Sequence, residues 1–191
     1  MLCAGGATRF VLQGAPGGNK LLAPLRGRPL VTWSLEHAIG AGLGVTIAVT
    51  GAADISAHVP VGTLVVENPL WEGGIASSLQ AAVGEARRLG LEAVVVGLGD
   101  QPFVPPSAWR AVAAARAAIA VATYGGARRN PVKLSRLVWD DLPRTGDEGA
   151  RVLMRQRPEL VEEVACEGEP LDVDTAEDLE RAAAWDGFLE C

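Results

Sequence analysis

Apolar positions fall along the chain in short runs and one-sided stripes, and their alternation predicts strand and helix in turn. A short apolar run, residues 1–4, meets the glycine pair Gly5-Gly6. Residues 21–30 read as a short extended pair around Arg26-Gly27-Arg28. Pro29 then opens a helix with Leu30, Trp33, Leu35 and Ala38 on its apolar side, and Gly40 and Gly42 end it. Residues 45–49 and 64–66 read as short buried strands, the second closed by Glu67-Asn68-Pro69. Residues 75–89 carry a helical stripe of Ile75, Leu79, Ala82, Val83 and Ala86, with Gly90 just past the end. The continuous apolar run 93–98 predicts a strand buried on both faces. Pro105-Pro106-Ser107 starts an alanine-rich helix reaching about residue 118, and 119–124 is again strand-like.

Strand and helix alternating over the first 124 residues imply a parallel sheet with helices on both faces. The pattern then loosens. Residues 131–134 read as extended, 137–142 as one or two helical turns, 147–155 as a helix, 160–164 as extended and 175–184 as the last helix. No low-complexity linker or repeat divides the 191 residues, so the expectation is a single domain, 1–191. A central strand feeding a glycine turn ordinarily has about five or six residues. Only Met1 to Ala4 precede Gly5, so the first strand is expected to be truncated, with the natural start upstream.

A net charge of −6 argues against nucleic acid or an anionic membrane as partner, since both ask for a basic face. No apolar run is long enough to span a membrane, and no basic segment followed by an apolar one opens the chain. Cys3, Cys166 and Cys191 are widely spaced and fit free thiols in a reducing cytoplasm.

Three chemical features fall at predicted strand ends, where open parallel sheets bind ligands. After Gly5-Gly6 come Arg9 and, past a Gly/Pro-rich stretch, Asn19-Lys20. Glycine amides approach a phosphate chain closely, an Arg offers a planar fork and a Lys a point charge. The order matches neither a Walker A loop nor the dinucleotide fingerprint. The second feature is Gly99-Asp100-Gln101-Pro102, whose carboxylate suits Mg²⁺ or, alternatively, its own turn. The third is Asp172-Val173-Asp174-Thr175. Asp174 is either an N-cap or, if Thr175 caps with Asp178, a metal ligand; Asp172 is the alternative ligand. Gly73-Gly74-Ile75-Ala76-Ser77-Ser78 starts a helix whose amides and hydroxyls suit a base edge. His37 and His58 have no partner pattern, and no Ser/His/Asp or Cys/His constellation is present.

In this order, Leu2-Cys3-Ala4-Gly5-Gly6-x-x-Arg9…Asn19-Lys20-Leu21-Leu22, Gly73-Gly74-Ile75-Ala76-Ser77-Ser78-Leu79, Gly99-Asp100-Gln101-Pro102 and Asp172-Val173-Asp174-Thr175 resemble the MobA-like nucleotidyltransferases. Within them the chain is most similar to the molybdenum cofactor cytidylyltransferases of the MocA type. The resemblance implies a Rossmann-like three-layer α/β sandwich with a mostly parallel sheet, of the nucleotide-diphospho-sugar transferase kind. It implies transfer of CMP from CTP to the terminal phosphate of molybdopterin, with release of pyrophosphate. Arg9, Lys20 and Asp100 would be the catalytic residues. Leu2, Cys3, Ala4, Gly5, Gly6, Arg9, Lys20, Gly74, Ser77, Ser78 and Asp100 would hold the nucleotide. Asp100 and Asp174 would bind Mg²⁺, and Gln101, Asn130, Asp147 and Arg151 would lie on the acceptor side. A molybdoenzyme that receives the product is a further implied partner. Asn130 stands where the family usually has a His, keeping a hydrogen-bonding group that cannot titrate. The alternatives are the same chemistry with GTP or another phosphorylated acceptor, and a non-catalytic nucleotide- or cofactor-binding chaperone. An NAD-binding oxidoreductase is disfavoured by the missing glycine spacing.

Overall fold

The structure, a computed structural model, describes residues 1–6 and 19–185. Asn19 caps a 3-10 turn, Lys20–Leu22, through its side-chain oxygen on the Leu21 amide. A tight hairpin follows, β1 (Pro24–Leu25) antiparallel to β2 (Arg28–Pro29). Pro29 leads into α1 (Leu30–Gly40), which buries Leu30, Val31, Ser34 and Leu35. Trp33 and Ala38 stay half-buried, so the inner face is turned relative to the stripe expected from the sequence.

β3 (Ile47–Thr50) is fully buried and pairs in parallel with β4 (Leu64–Glu67). β4 is largely exposed rather than buried, because it is an edge strand paired only with β3 among the described residues. Helix α2 (Ile75–Arg88) buries Leu79, Ala82, Val83 and Ala86 of its expected stripe, while Ile75 at its first turn is exposed. β5 (Ala93–Val96) was expected to be buried on both faces, yet three of its four residues are only half-buried. α3 (Pro106–Ala114) stops short of residue 118. The Arg116 and Ala117 amides donate instead to Glu162 Oε2, each at 3.1 Å, which holds the chain out of the helix.

β6 (Ile119–Tyr124) turns through Gly125-Gly126 into β7 (Ala127–Ser135), a strand more than twice the length of the expected extended segment. After a 3-10 segment, Arg136–Asp141, comes α4 (Arg151–Gln156). The helix expected from residue 147 begins only here, since Gly149 sits at φ +52° in the preceding turn. β8 (Val161–Ala165) and α5 (Ala176–Ala184) complete the fold.

The sheet is mixed. β5, β7, β6 and β8 lie in that order, β6–β8 parallel, with β7 antiparallel to both neighbours. The two-glycine hairpin forces this, because a parallel partner would need a long crossover. Leu2 joins the two halves by bridging in parallel to Val49 of β3 and to Leu98 beyond β5. The main core lies beneath this junction, where Val49, Leu79, Leu134 and Trp139 pack together.

Candidate active site

The strand exits converge on one side chain. Lys20, at the start of its capped turn, places Nζ 2.5 Å from Asp100 Oδ2 and 2.6 Å from Asp174 Oδ1. Asp100 follows β5, and its carbonyl accepts the Val173 amide at 3.1 Å, which ties the loop to the segment carrying Asp174. The capping-box alternative holds at α5: Thr175 Oγ1 accepts the Asp178 amide, and Asp178 accepts from the Thr175 amide. The cap therefore belongs to Thr175, and the Asp174 carboxylate turns to Lys20. Burial alone would lower the Lys20 ammonium, but Asp100 and Asp174 outweigh it and hold it above its ordinary value. Asp172 lies apart from the ammonium and accepts from Gln101 Nε2 at 2.7 Å. Burial, with Asp100 nearby, raises its carboxyl above the usual range.

These groups line one end of a cleft of about 620 Å³, whose wall includes Gly5, Gly6, Gly74, Ser78 and Arg151. Two close approaches shape it. A Cβ on Gly99 would lie 2.8 Å from Cys3 Sγ, and a Cβ on Gly74, already at φ +88°, would lie 2.5 Å from Asp147 Oδ1. Ser78 faces this space, whereas Ser77 donates to the Gly74 carbonyl at 2.8 Å; Asn68 Nδ2 donates to both hydroxyls. Asp147 and Arg151 also line a second pocket of about 270 Å³, floored by Leu79, Val121 and Met154 and containing Asn130. Gln101 is instead buried beside Asp172. Arg9 lies outside the described residues.

A model of the MobA-like NTP transferase domain matches residues 1–162. The chain belongs to this family. Among its relatives, nicotine blue oxidoreductase of Paenarthrobacter nicotinovorans is 31% identical over 180 residues, covering 86% of this chain and 87% of that protein. The 3-deoxy-manno-octulosonate cytidylyltransferase of Vibrio campbellii is 32% identical over 108 residues, covering 55% of this chain and 41% of that protein. The crystal structure of Rv0371C in complex with manganese, from Mycobacterium tuberculosis H37Rv, is 30% identical and superposes with a TM-score of 0.75, covering 95% of each chain.

In this MobA-like domain the donor set suits a hard divalent cation. Among the described residues Asp100 Oδ1 is buried with no hydrogen-bond partner, and Asp174 lies across the ammonium from it. One or two carboxylates completed by phosphate oxygens are the usual Mg²⁺ arrangement. The residues present therefore fit such an ion, which Asp100 and Asp174 could hold.

The sequence pattern did not single out Arg128, Arg129 and Arg155, which rim the second pocket. The signal was available for one of them. Once β7 is taken back to residue 127, strand alternation sets Arg128 on one face with Asn130, Val132 and Leu134. Arg129 joins them beside a register shift in the β6–β7 pairing, which sequence periodicity cannot announce.

Proposed function

We propose that this nucleotidyltransferase moves CMP from CTP to the terminal phosphate of a molybdopterin-type acceptor, releasing pyrophosphate. The observation that carries the reading is one ammonium held between two carboxylates, in a cleft that shares Asp147 and Arg151 with an apolar, arginine-rimmed pocket. The first space suits a triphosphate on glycine amides. The second suits a flat acceptor body on an apolar floor with its phosphate toward Arg151.

Nucleotidyl transfer asks the protein for alignment and charge neutralisation. An acceptor phosphate oxygen attacks the α-phosphorus in line. The bond from the α-phosphorus to the bridging oxygen breaks, and its electron pair leaves with pyrophosphate. No general base is required, because a phosphate monoester is largely ionised near neutral pH. Lys20 neutralises charge on the triphosphate, and Arg9 is assigned the same role from its place in the sequence pattern. Gly5, Gly6 and Gly74 let backbone approach the nucleotide. Leu2, Cys3, Ala4 and Ser78 border the nucleoside, and Ser77 holds the Gly74 carbonyl in place. Mg²⁺ on Asp100 and Asp174 would supply further charge neutralisation at phosphate oxygens. Asn130 and Asp147 border the acceptor, and Gln101 acts through Asp172.

The test is pyrophosphate release from CTP, and separately from GTP, with Mg²⁺ and molybdopterin cofactor. Release with CTP, reduced about 10²–10³-fold in Asp100→Asn, is expected if Asp100 is a preorganised charge partner. No release from folded protein with either nucleotide would sink transfer to this acceptor. One relative is named an oxidoreductase, so nicotinamide oxidation is followed in parallel. Turnover there without pyrophosphate would overturn the transfer reading.

A further inference from the structure

Three successive residues of β7, Arg128, Arg129 and Asn130, all line the apolar pocket of about 270 Å³. An unbroken strand does not do this, because successive side chains point to opposite faces. The pairing with β6 shows what differs here. Val121 opposes Val132 and Ala122 opposes Arg129, so Asn130 and Pro131 have no partner on β6. Such a bulge bends its strand and re-aims the side chains beside it, and bulges collect next to active sites.

The pocket rim carries four arginines, Arg128, Arg129, Arg151 and Arg155, and their charges are unequally committed. Arg155 closes on Glu148 with two bonds, of 2.7 and 2.6 Å. Arg128 reaches over β6 to Glu163 of β8 at 2.7 Å. Arg151 makes no ion pair among the described residues; it adds to the larger pull of Arg155 that holds the Glu148 carboxyl below its ordinary value. Arg129 is less engaged still. Its guanidinium donates to the Arg128 carbonyl at 3.0 Å and meets no carboxylate among the described residues. These two arginines also differ in place. Arg151 borders both the pocket and the cleft that holds Lys20, whereas Arg129 borders the pocket alone. The apolar floor between them, with Val132, Leu134 and Met154, offers no anion to either.

We infer that Arg129 is an acceptor-specificity residue. It recognises a second anionic group, carried on the body of the acceptor away from the phosphate that faces Arg151. A guanidinium presents two parallel donors, so the group it selects has two electron-rich atoms side by side, as a carboxylate or a dithiolate does. The acceptor class is a flat, phosphorylated compound with such an anion at its other end. The inference rests on the acceptor pocket proposed above and adds what the acceptor must carry besides its phosphate.

Molybdopterin carries a dithiolene as well as a phosphate, so it and its dephosphorylated form separate the two contacts. Anaerobic calorimetry of each form with nucleotide-free protein compares wild type with Arg129→Gln and Arg151→Gln. Arg129→Gln should weaken binding of both forms about tenfold or more, as loss of a charge-assisted pair does. Arg151→Gln should weaken the phosphorylated form alone. Arg129→Lys, which keeps the charge without the fork, should recover only part of the loss. In turnover, Arg129→Gln should raise the acceptor KM about tenfold and leave the KM for CTP within about twofold, a split that a merely structural role would not produce. Wild-type affinity of Arg129→Gln for both forms would overturn the inference. So would an effect that vanishes with the phosphate, since Arg129 would then read the phosphate. Arg129-dependent binding without pyrophosphate release sinks the transfer reading and leaves this one standing. Release with an unchanged acceptor KM in Arg129→Gln sinks this one alone, and wild-type protein that binds neither form overturns both.

Discussion

Lys20 occupies the position between Asp100 and Asp174 at which a divalent cation would bind under the proposed function. Ammonium and metal compete for the same carboxylate oxygens, so one substitution should move two measurements in opposite directions. Lys20→Ala is expected to lower CTP-dependent turnover by about 10²–10³-fold, as loss of a preorganised charge partner does. The same variant should bind Mn²⁺ more tightly than wild type in the absence of nucleotide, read by electron paramagnetic resonance of the free ion. Weaker nucleotide-free binding would mean that Lys20 positions the carboxylates and does not compete for them. Cys3 supplies a second test at this scale. Burial is the largest cause pushing its thiol up to about 12, so it stays a neutral thiol throughout the physiological range. Mass-mapped alkylation at pH 8 should leave Cys3 unmodified in the native protein and modify it in denaturant. Labelling of Cys3 in native protein at that pH would contradict its burial against Gly99.

Elements place these residues, and two of them can be loosened separately. The Thr175–Asp178 capping box fixes the start of α5 immediately after Asp174. Thr175→Ala should cost about 1 kcal/mol, a fall in Tm of roughly 2–4 °C for a chain of this size. Gly74 is more constrained, since a side chain there meets Asp147 Oδ1 at 2.5 Å and the Gly146 carbonyl at 2.6 Å. Gly74→Ala should push that loop from α2 and weaken both nucleotide binding, measured by calorimetry, and thermal stability. Much of this scaffolding is legible in the sequence. The α2 stripe and the Thr175 cap are local patterns, and local chemistry decides them. The strand-exit carboxylates follow from where apolar runs stop. What stayed hidden depends on partners distant in the chain. The length of β7 is set by pairing with β5 and β6, and the early stop of α3 by Glu162. Arg128 and Arg129 could not be assigned to the pocket before the strand that carries them was known.

At the scale of the molecule, one apolar residue stands where everything meets. Leu2 bridges both halves of the sheet and belongs to the main core. It lines the cleft, the arginine-rimmed pocket and a groove between β3 and β5 at once. Truncating it removes side-chain packing at a junction whose backbone hydrogen bonds remain, so the two effects separate. Leu2→Ala should destabilise by about 2–5 kcal/mol, the range for a buried leucine whose surroundings cannot collapse. At roughly 2–4 °C of Tm per kcal/mol, calorimetry will resolve that loss. Exchange at the Cys3 and Val49 amides, which hydrogen-bond across the junction, should speed up together with amides of β5 and β7 if the halves depend on this contact. Faster exchange confined to Cys3 and Val49 would mean that the cores on either side hold without the seam, and that Leu2 serves the cleft more than the fold.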